Sequence, residues 1–233
     1  MDRSAAKDAR AAKELPLRIL SSLVLGALAL AVSWIGGAVF ALFWLVVAIG
    51  VLMEWVRITS SQPLWIAGGV LYAAVFFGSM VFLRNDPHFG FVVMVWLFAI
   101  IWTVDIAAYF VGRTIGGPKL WPAVSPNKTW SGAIGGTIGG LVAGTAVILL
   151  AALALRPAHG AVMLAIVVAA QLGDLMESAV KRRFGVKDSG QLIPGHGGLM
   201  DRCDSLVAAS AVALLIGAIR AGTTSPAAGL LAW

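Results

Sequence analysis

The sequence predicts an all-α fold, a polytopic bundle of about seven transmembrane helices in a single domain. Three observations predict it. Of 233 residues, 60% are hydrophobic and 12% are charged, whereas a soluble domain has about half and about a quarter. The apolar residues gather into stretches near the ~20 residues that cross a bilayer. Short breaks containing Gly, Pro and charged residues separate those stretches. A chain so poor in charge cannot cover its own surface in water. That excludes a soluble enzyme, a disordered protein and a nucleic-acid-binding domain. The single cysteine, Cys203, excludes a disulfide scaffold. The length leaves room for seven or eight spans and little more, so function must rest on helix ends and short loops.

Residues 1–16 are a polar tail of mixed charge, and residues 17–233 form the transmembrane domain. The tail is not the start of a signal peptide, because the apolar stretch after it is too long and no small-residue cleavage site ends it. Seven spans follow, at roughly 17–35, 38–56, 63–83, 89–111, 131–154, 160–180 and 204–220. Gly36 and Gly37 break the first pair into a tight hairpin, and Gln62-Pro63 opens the third span. Arg84-Asn85-Asp86-Pro87 separates the third from the fourth. The fifth carries Gly132, Gly136, Gly140 and Gly144, a smooth ridge that admits a close neighbour. Packing inside the bundle accounts for the ridge better than a homodimer seam or a moving helix. The segment from Ala221 to Trp233, broken by Pro226, is too short to span and is expected in the interface with Trp233 as an anchor.

Orientation follows from Lys and Arg. With the N-terminus inside, 14 of the 17 basic residues fall in inside segments; only Arg84, Arg156 and Arg220 fall outside. Two inside loops, 112–130 and 181–203, are long and rich in Gly, Pro and Lys. Such loops carry function more often than packing.

Six of the eleven acids flank or lie within those loops: Asp105, Asp174, Glu177, Asp188, Asp201 and Asp204. Asp105 and Asp174 lie about 10–12 Å inside the cytosolic ends of their helices, at 1.5 Å per residue. A carboxylate at that depth is costly, and marks a functional site by default. Asp174, Glu177, Ser178 and Lys181 share one helical face, Asp105 shares another with Tyr109, and Asp201 a third with Asp204 and Ser205. The helix macrodipole alone favours Asp201 and Asp204 at a helix start, but it explains neither Asp105 nor Asp174. Carboxylates without matching His or Cys ligands suit a hard cation such as magnesium, with room for a second. Lys119, Lys128, Lys181, Arg182, Lys187 and Arg202 suit phosphate. These are the parts of phosphoryl or nucleotidyl transfer. The chain has no P-loop, nucleophile elbow or zinc-protease motif.

The run from Ser178 through Lys181-Arg182, Lys187-Asp188, Pro194-Gly195-His196-Gly197-Gly198 and Asp201-Arg202-Cys203-Asp204 resembles the signature of the phosphatidate cytidylyltransferases, the CDP-diacylglycerol synthases. Gln171-Leu-Gly-Asp174, Asp105 with Ala108-Tyr109, and Ser125-Pro126-Asn127-Lys128-Thr129-Trp130 resemble that family too. The likeness covers about 95–205. Cys203 departs from the family's usual aliphatic or Thr residue and reads as packing. The region before the motifs is shorter than in familiar members.

The resemblance implies a multi-pass enzyme of the cytoplasmic membrane, with its site toward the cytosol and membrane lipids around it. Its substrates would be CTP and phosphatidic acid, its products CDP-diacylglycerol and pyrophosphate. Asp174 and Asp201 would hold the metal, with Asp204 and Glu177 close by. Lys128, Lys181, Arg182, Lys187 and Arg202, with Lys119, would neutralise phosphate. Ser125, Thr129 and Ser178 would add hydroxyl donors. Asp105, Tyr109, Asp188, Gly197 and Gly198 would line the substrates, and His196 would touch either phosphate or cytosine. The nearest alternative is a CTP-using transferase or kinase acting on an isoprenoid or archaeal-type lipid. A transporter is disfavoured because the outer half has few ionisable groups.

Overall fold

A computed structural model describes residues 20–60, 62–190 and 197–233. The N-terminal tail, the start of the first span and His196 lie outside the described residues. Helix α1 runs Leu20–Ile35. Among the described residues, six helices are long and apolar enough to cross a membrane: α2 Gly37–Ile58, α3 Pro63–Arg84, α4 Gly90–Ile115, α5 Trp130–Leu150, α6 Pro157–Arg183 and α7 Met200–Ala221. A short α8, Pro226–Leu231, closes the described chain. Leu23, Leu42, Leu71, Ile106, Ile138 and Leu215 point outward, as the surface of a bundle bathed in lipid should. Trp44, Phe76, Met80, Trp96, Phe98 and Ile100 fill the centre.

The connections are those the sequence predicts, and each has a local cause. Gly36 and Gly37 take φ of 70° and 56°, the left-handed region that suits glycine, so α1 and α2 join through one residue. Arg84, at the end of α3, donates to the carbonyls of Ser33 (2.5 Å) and Trp34 (3.2 Å) at the end of α1. Asp86 accepts from the backbone N–H groups of His88 (3.0 Å) and Phe89 (2.9 Å) ahead of α4. These contacts place Gly36 and the α3–α4 turn at one end of the bundle. Both long loops lie at the other end.

The loop over 112–130 contains structure that composition did not predict. Lys119–Trp121 forms β1 and Ser125–Thr129 forms β2, an antiparallel hairpin pairing Lys119 with Thr129 and Trp121 with Ser125. In the C-terminal segment, α8 is buried against the bundle. The Ala228 N–H donates to Asp86 (2.9 Å), the Leu231 carbonyl meets His159 (3.2 Å), and Ala227 and Leu230 are fully covered. Gly217 and Gly229 allow this docking, because their backbones meet directly.

The glycine ridge of α5 is filled from within the chain. Its four glycines are buried against α4 and α6. A Cβ on Gly136 would stand 2.9 Å from the Val104 carbonyl and 3.1 Å from Ala108; one on Gly140 would stand 2.9 Å from Val167. Overpacking such a seam costs about 1–3 kcal/mol. Gly136→Leu is therefore expected to lower the Tm in detergent by several degrees. Gly160→Leu, where a Cβ meets nothing within 4 Å, should leave Tm unchanged. Equal Tm values for the two variants would refute the packing account.

Candidate active site

Three helices bring the acids together. Asp105 lies ten residues before the end of α4, and Asp174 nine before the end of α6. At 1.5 Å per residue both sit about 14–15 Å from those ends. These distances exceed the 10–12 Å read from the sequence because both helices continue past the apolar stretch. Asp204 comes from the first turns of α7, which runs antiparallel to α6. The contact between Lys181 and Asp201 fixes the stagger, so that Asp204 faces Asp174 and Glu177.

Asp174, Glu177 and Asp204 each offer a carboxylate oxygen within 4.8 Å of the others. This trio could hold a metal ion. Its chemistry fits a hard cation, since every ligand is oxygen. One further observation supports the fit: Glu177, 1% exposed, has a buried Oε1 without a hydrogen-bond partner among the described residues. A buried acceptor left unpaired is costly, and a cation would satisfy it. Asp105 lies in electrostatic range of Asp174, Asp204, Lys128 and Arg202, but outside the trio.

Asp201, which the resemblance pairs with Asp174, is held by hydrogen bonds from both loop and helix. Its Oδ1 accepts from Lys181 Nζ (2.7 Å) and its Oδ2 from the backbone N–H groups of Ser189 (3.1 Å) and Gly198 (3.0 Å). Lys181 also pairs with Glu177 (2.6 Å). The Lys181 ammonium is thus held between two carboxylates, and Asp201 ties the second loop to α6.

The hairpin delivers Lys128, which pairs with Asp174. Thr129 caps α5, accepting from the Gly132 N–H (3.1 Å), and Ser131 donates to the Gly116 carbonyl. Arg182 donates to the carbonyls of Val124 (3.3 Å) and Val186 (3.2 Å), pinning the hairpin to the end of α6. Gln171 reaches from α6 to the Ala133 carbonyl (3.2 Å) and Thr137 (3.1 Å) on α5. Tyr109 is exposed and accepts from Arg113 (2.7 Å). Ser125, Ser178 and Gly197 are half-buried, Gly198 is buried, and Lys119, Lys187, Asp188 and Arg202 are exposed.

Sequence reasoning missed two residues. Glu54 of α2 is 1% exposed and reaches the second loop; an acid inside an apolar span was its only signal. Tyr72 of α3 stacks on Trp55 at 5.2 Å, and its buried hydroxyl has no hydrogen-bond partner among the described residues. Nothing in the local sequence marks Tyr72.

Comparison with known proteins identifies the family. The model of a family described as the cytidylyltransferase family matches residues 59–219. A phosphatidate cytidylyltransferase of Brucella suis biovar 1 is 38% identical over 265 residues, covering 92% of this chain and 97% of that protein. One of Rickettsia bellii is 35% identical over 208 residues, covering 86% and 89%. One of Bacillus subtilis is 42% identical over 138 residues, covering 59% and 51%. A family match over residues 59–219 and two relatives aligned over most of their length lead to one conclusion: the chain belongs to the cytidylyltransferase family.

Proposed function

We propose that this membrane enzyme makes CDP-diacylglycerol and pyrophosphate from CTP and phosphatidate, with magnesium in the carboxylate trio and its site facing the cytosol. The observation that carries the reading is the Asp174–Glu177–Asp204 cluster beside Lys128, in a chain aligned over 92% of its length with a phosphatidate cytidylyltransferase. The excess of Lys and Arg at that end supports the orientation.

Phosphatidate is a phosphomonoester with a second pKa near 6, so it is largely a dianion at neutral pH. One of its phosphate oxygens attacks the CTP α-phosphorus. The bond from that phosphorus to the bridging oxygen breaks, and pyrophosphate leaves with the electron pair. No protein base is required. What the reaction needs is relief from repulsion between two anions and correct alignment. A bound magnesium ion supplies charge neutralisation at the triphosphate. Lys128 stands where it can move from Asp174 to a phosphate oxygen. Arg202 and Lys187 offer further positive charge. Lys181, locked between Glu177 and Asp201, sets the carboxylates and is not free to travel with substrate. Asp105 and Tyr109, both exposed on α4, would meet a lipid headgroup that approaches from the side.

The test is a mixed-micelle assay with CTP labelled at the α-phosphorus. The label is expected to enter chloroform-soluble lipid, with one pyrophosphate per lipid, only when phosphatidate and magnesium are both present. Label entering lipid from the γ-position instead would assign a kinase and overturn the reading.

A further inference from the structure

Glu54 is far in sequence from every motif, yet its carboxylate sits behind the active site. Its Oε1 accepts from the Leu199 N–H (3.0 Å), and its Oε2 accepts from the Met200 N–H (2.8 Å) and the Ser189 hydroxyl (2.9 Å). One side chain therefore caps the start of α7 and holds Ser189 beside it. Space has been left for it: a Cβ on Gly190 would meet the Glu54 Cδ at 3.0 Å, and one on Gly198 its Oε2 at 2.6 Å. Asp201 grips the same backbone from the other side, through Ser189 and Gly198. Two carboxylates on different helices thus clamp the strand of chain that leads into α7. The connection continues from Asp201 through Lys181 to Glu177.

A buried carboxylate whose contacts are two backbone N–H groups and one hydroxyl is a costly way to fasten a loop. An anion at a helix N-terminus recovers part of that cost, and it fixes both the angle and the depth of the helix start. Asp204 lies one turn further along α7. We propose that Glu54 is a positioning residue for the cation site: by capping α7 it sets Asp204 at coordinating distance from Asp174 and Glu177. This rests on the assignment of the trio under the proposed function.

The test measures Mn2+ affinity by electron paramagnetic resonance in detergent-solubilised full chain, beside the magnesium dependence of turnover. Glu54→Gln keeps the shape but turns an amide NH2 toward a backbone N–H. It is expected to weaken Mn2+ about tenfold, as loss of outer-shell support at metal sites does. The magnesium midpoint should rise by a similar factor, with KM for phosphatidate unchanged. Ser189→Ala removes one of the three donors and should shift the midpoint the same way by less; it serves where Glu54→Gln yields too little folded protein. A purely structural role would lower the active fraction and Tm, leaving Mn2+ affinity and the magnesium midpoint at wild-type values. That result would overturn the inference. Failure of the wild-type chain to bind Mn2+ would instead overturn the assignment of the trio.

Discussion

Asp174→Asn is expected to abolish cytidylyl transfer while leaving the bundle folded. The two effects separate because of where Asp174 sits. Its side chain is 30% exposed and that of its partner Lys128 28% exposed. An ion pair that open contributes about 0–1 kcal/mol, so the Tm in detergent should hardly move. The chemical step should suffer far more. Asp174 contributes one of three oxygens that neutralise a cation, and metal assistance amounts to several kcal/mol in the transition state. At 1.36 kcal/mol per decade the rate should fall at least ~10³-fold. Turnover measured beside thermal unfolding checks both halves. A variant of near-normal activity would remove Asp174 from the mechanism, and a variant that fails to fold would make its role structural.

Lys181→Met should behave in the opposite way, losing stability and activity together. The Lys181 ammonium is buried and bridges Glu177 and Asp201. Removing one partner of a buried ion pair costs about 3–5 kcal/mol, because the remaining charge is left uncompensated. Here two carboxylates are left, and Asp201 also holds the chain leading into α7. The expected outcome is a large fall in Tm and no measurable turnover. Adding Glu177→Gln to Lys181→Met removes one stranded charge. The double variant should regain part of the Tm and none of the activity. A single variant with wild-type Tm would contradict the bridging role.

The spans were legible because bilayer thickness imposes a length, and glycine and proline mark the breaks. Asp105 and Asp174 were legible for a similar reason: an acid deep in an apolar helix has a cost that must be met; Asp204, near the start of α7, was legible only through its motif. What stayed hidden depends on distant partners. Glu54 lies on α2, and its three donors belong to residues 189–200, so no local pattern shows them. The β1–β2 hairpin is held in part by Arg182, 58 residues beyond Val124. Arg182 and Thr129 look like phosphate ligands in sequence, and only the structure shows that they also brace the hairpin and the start of α5. The docking of α8 rests on Asp86, 142 residues before Ala228. Asp201 shows the same limit. Its motif places it in the site, but only the fold shows that Lys181 and two backbone amides occupy its oxygens.

The central claim is that Asp174, Glu177 and Asp204 form the cation site of a cytidylyl transfer. Its most direct test is a Mn2+ titration, followed by electron paramagnetic resonance, of the wild-type chain and of Asp174→Asn, Glu177→Gln and Asp204→Asn. The account predicts a bound ion in the wild type that competes with magnesium, and a much weaker one in each of the three variants. Binding of equal affinity in all four proteins would contradict it.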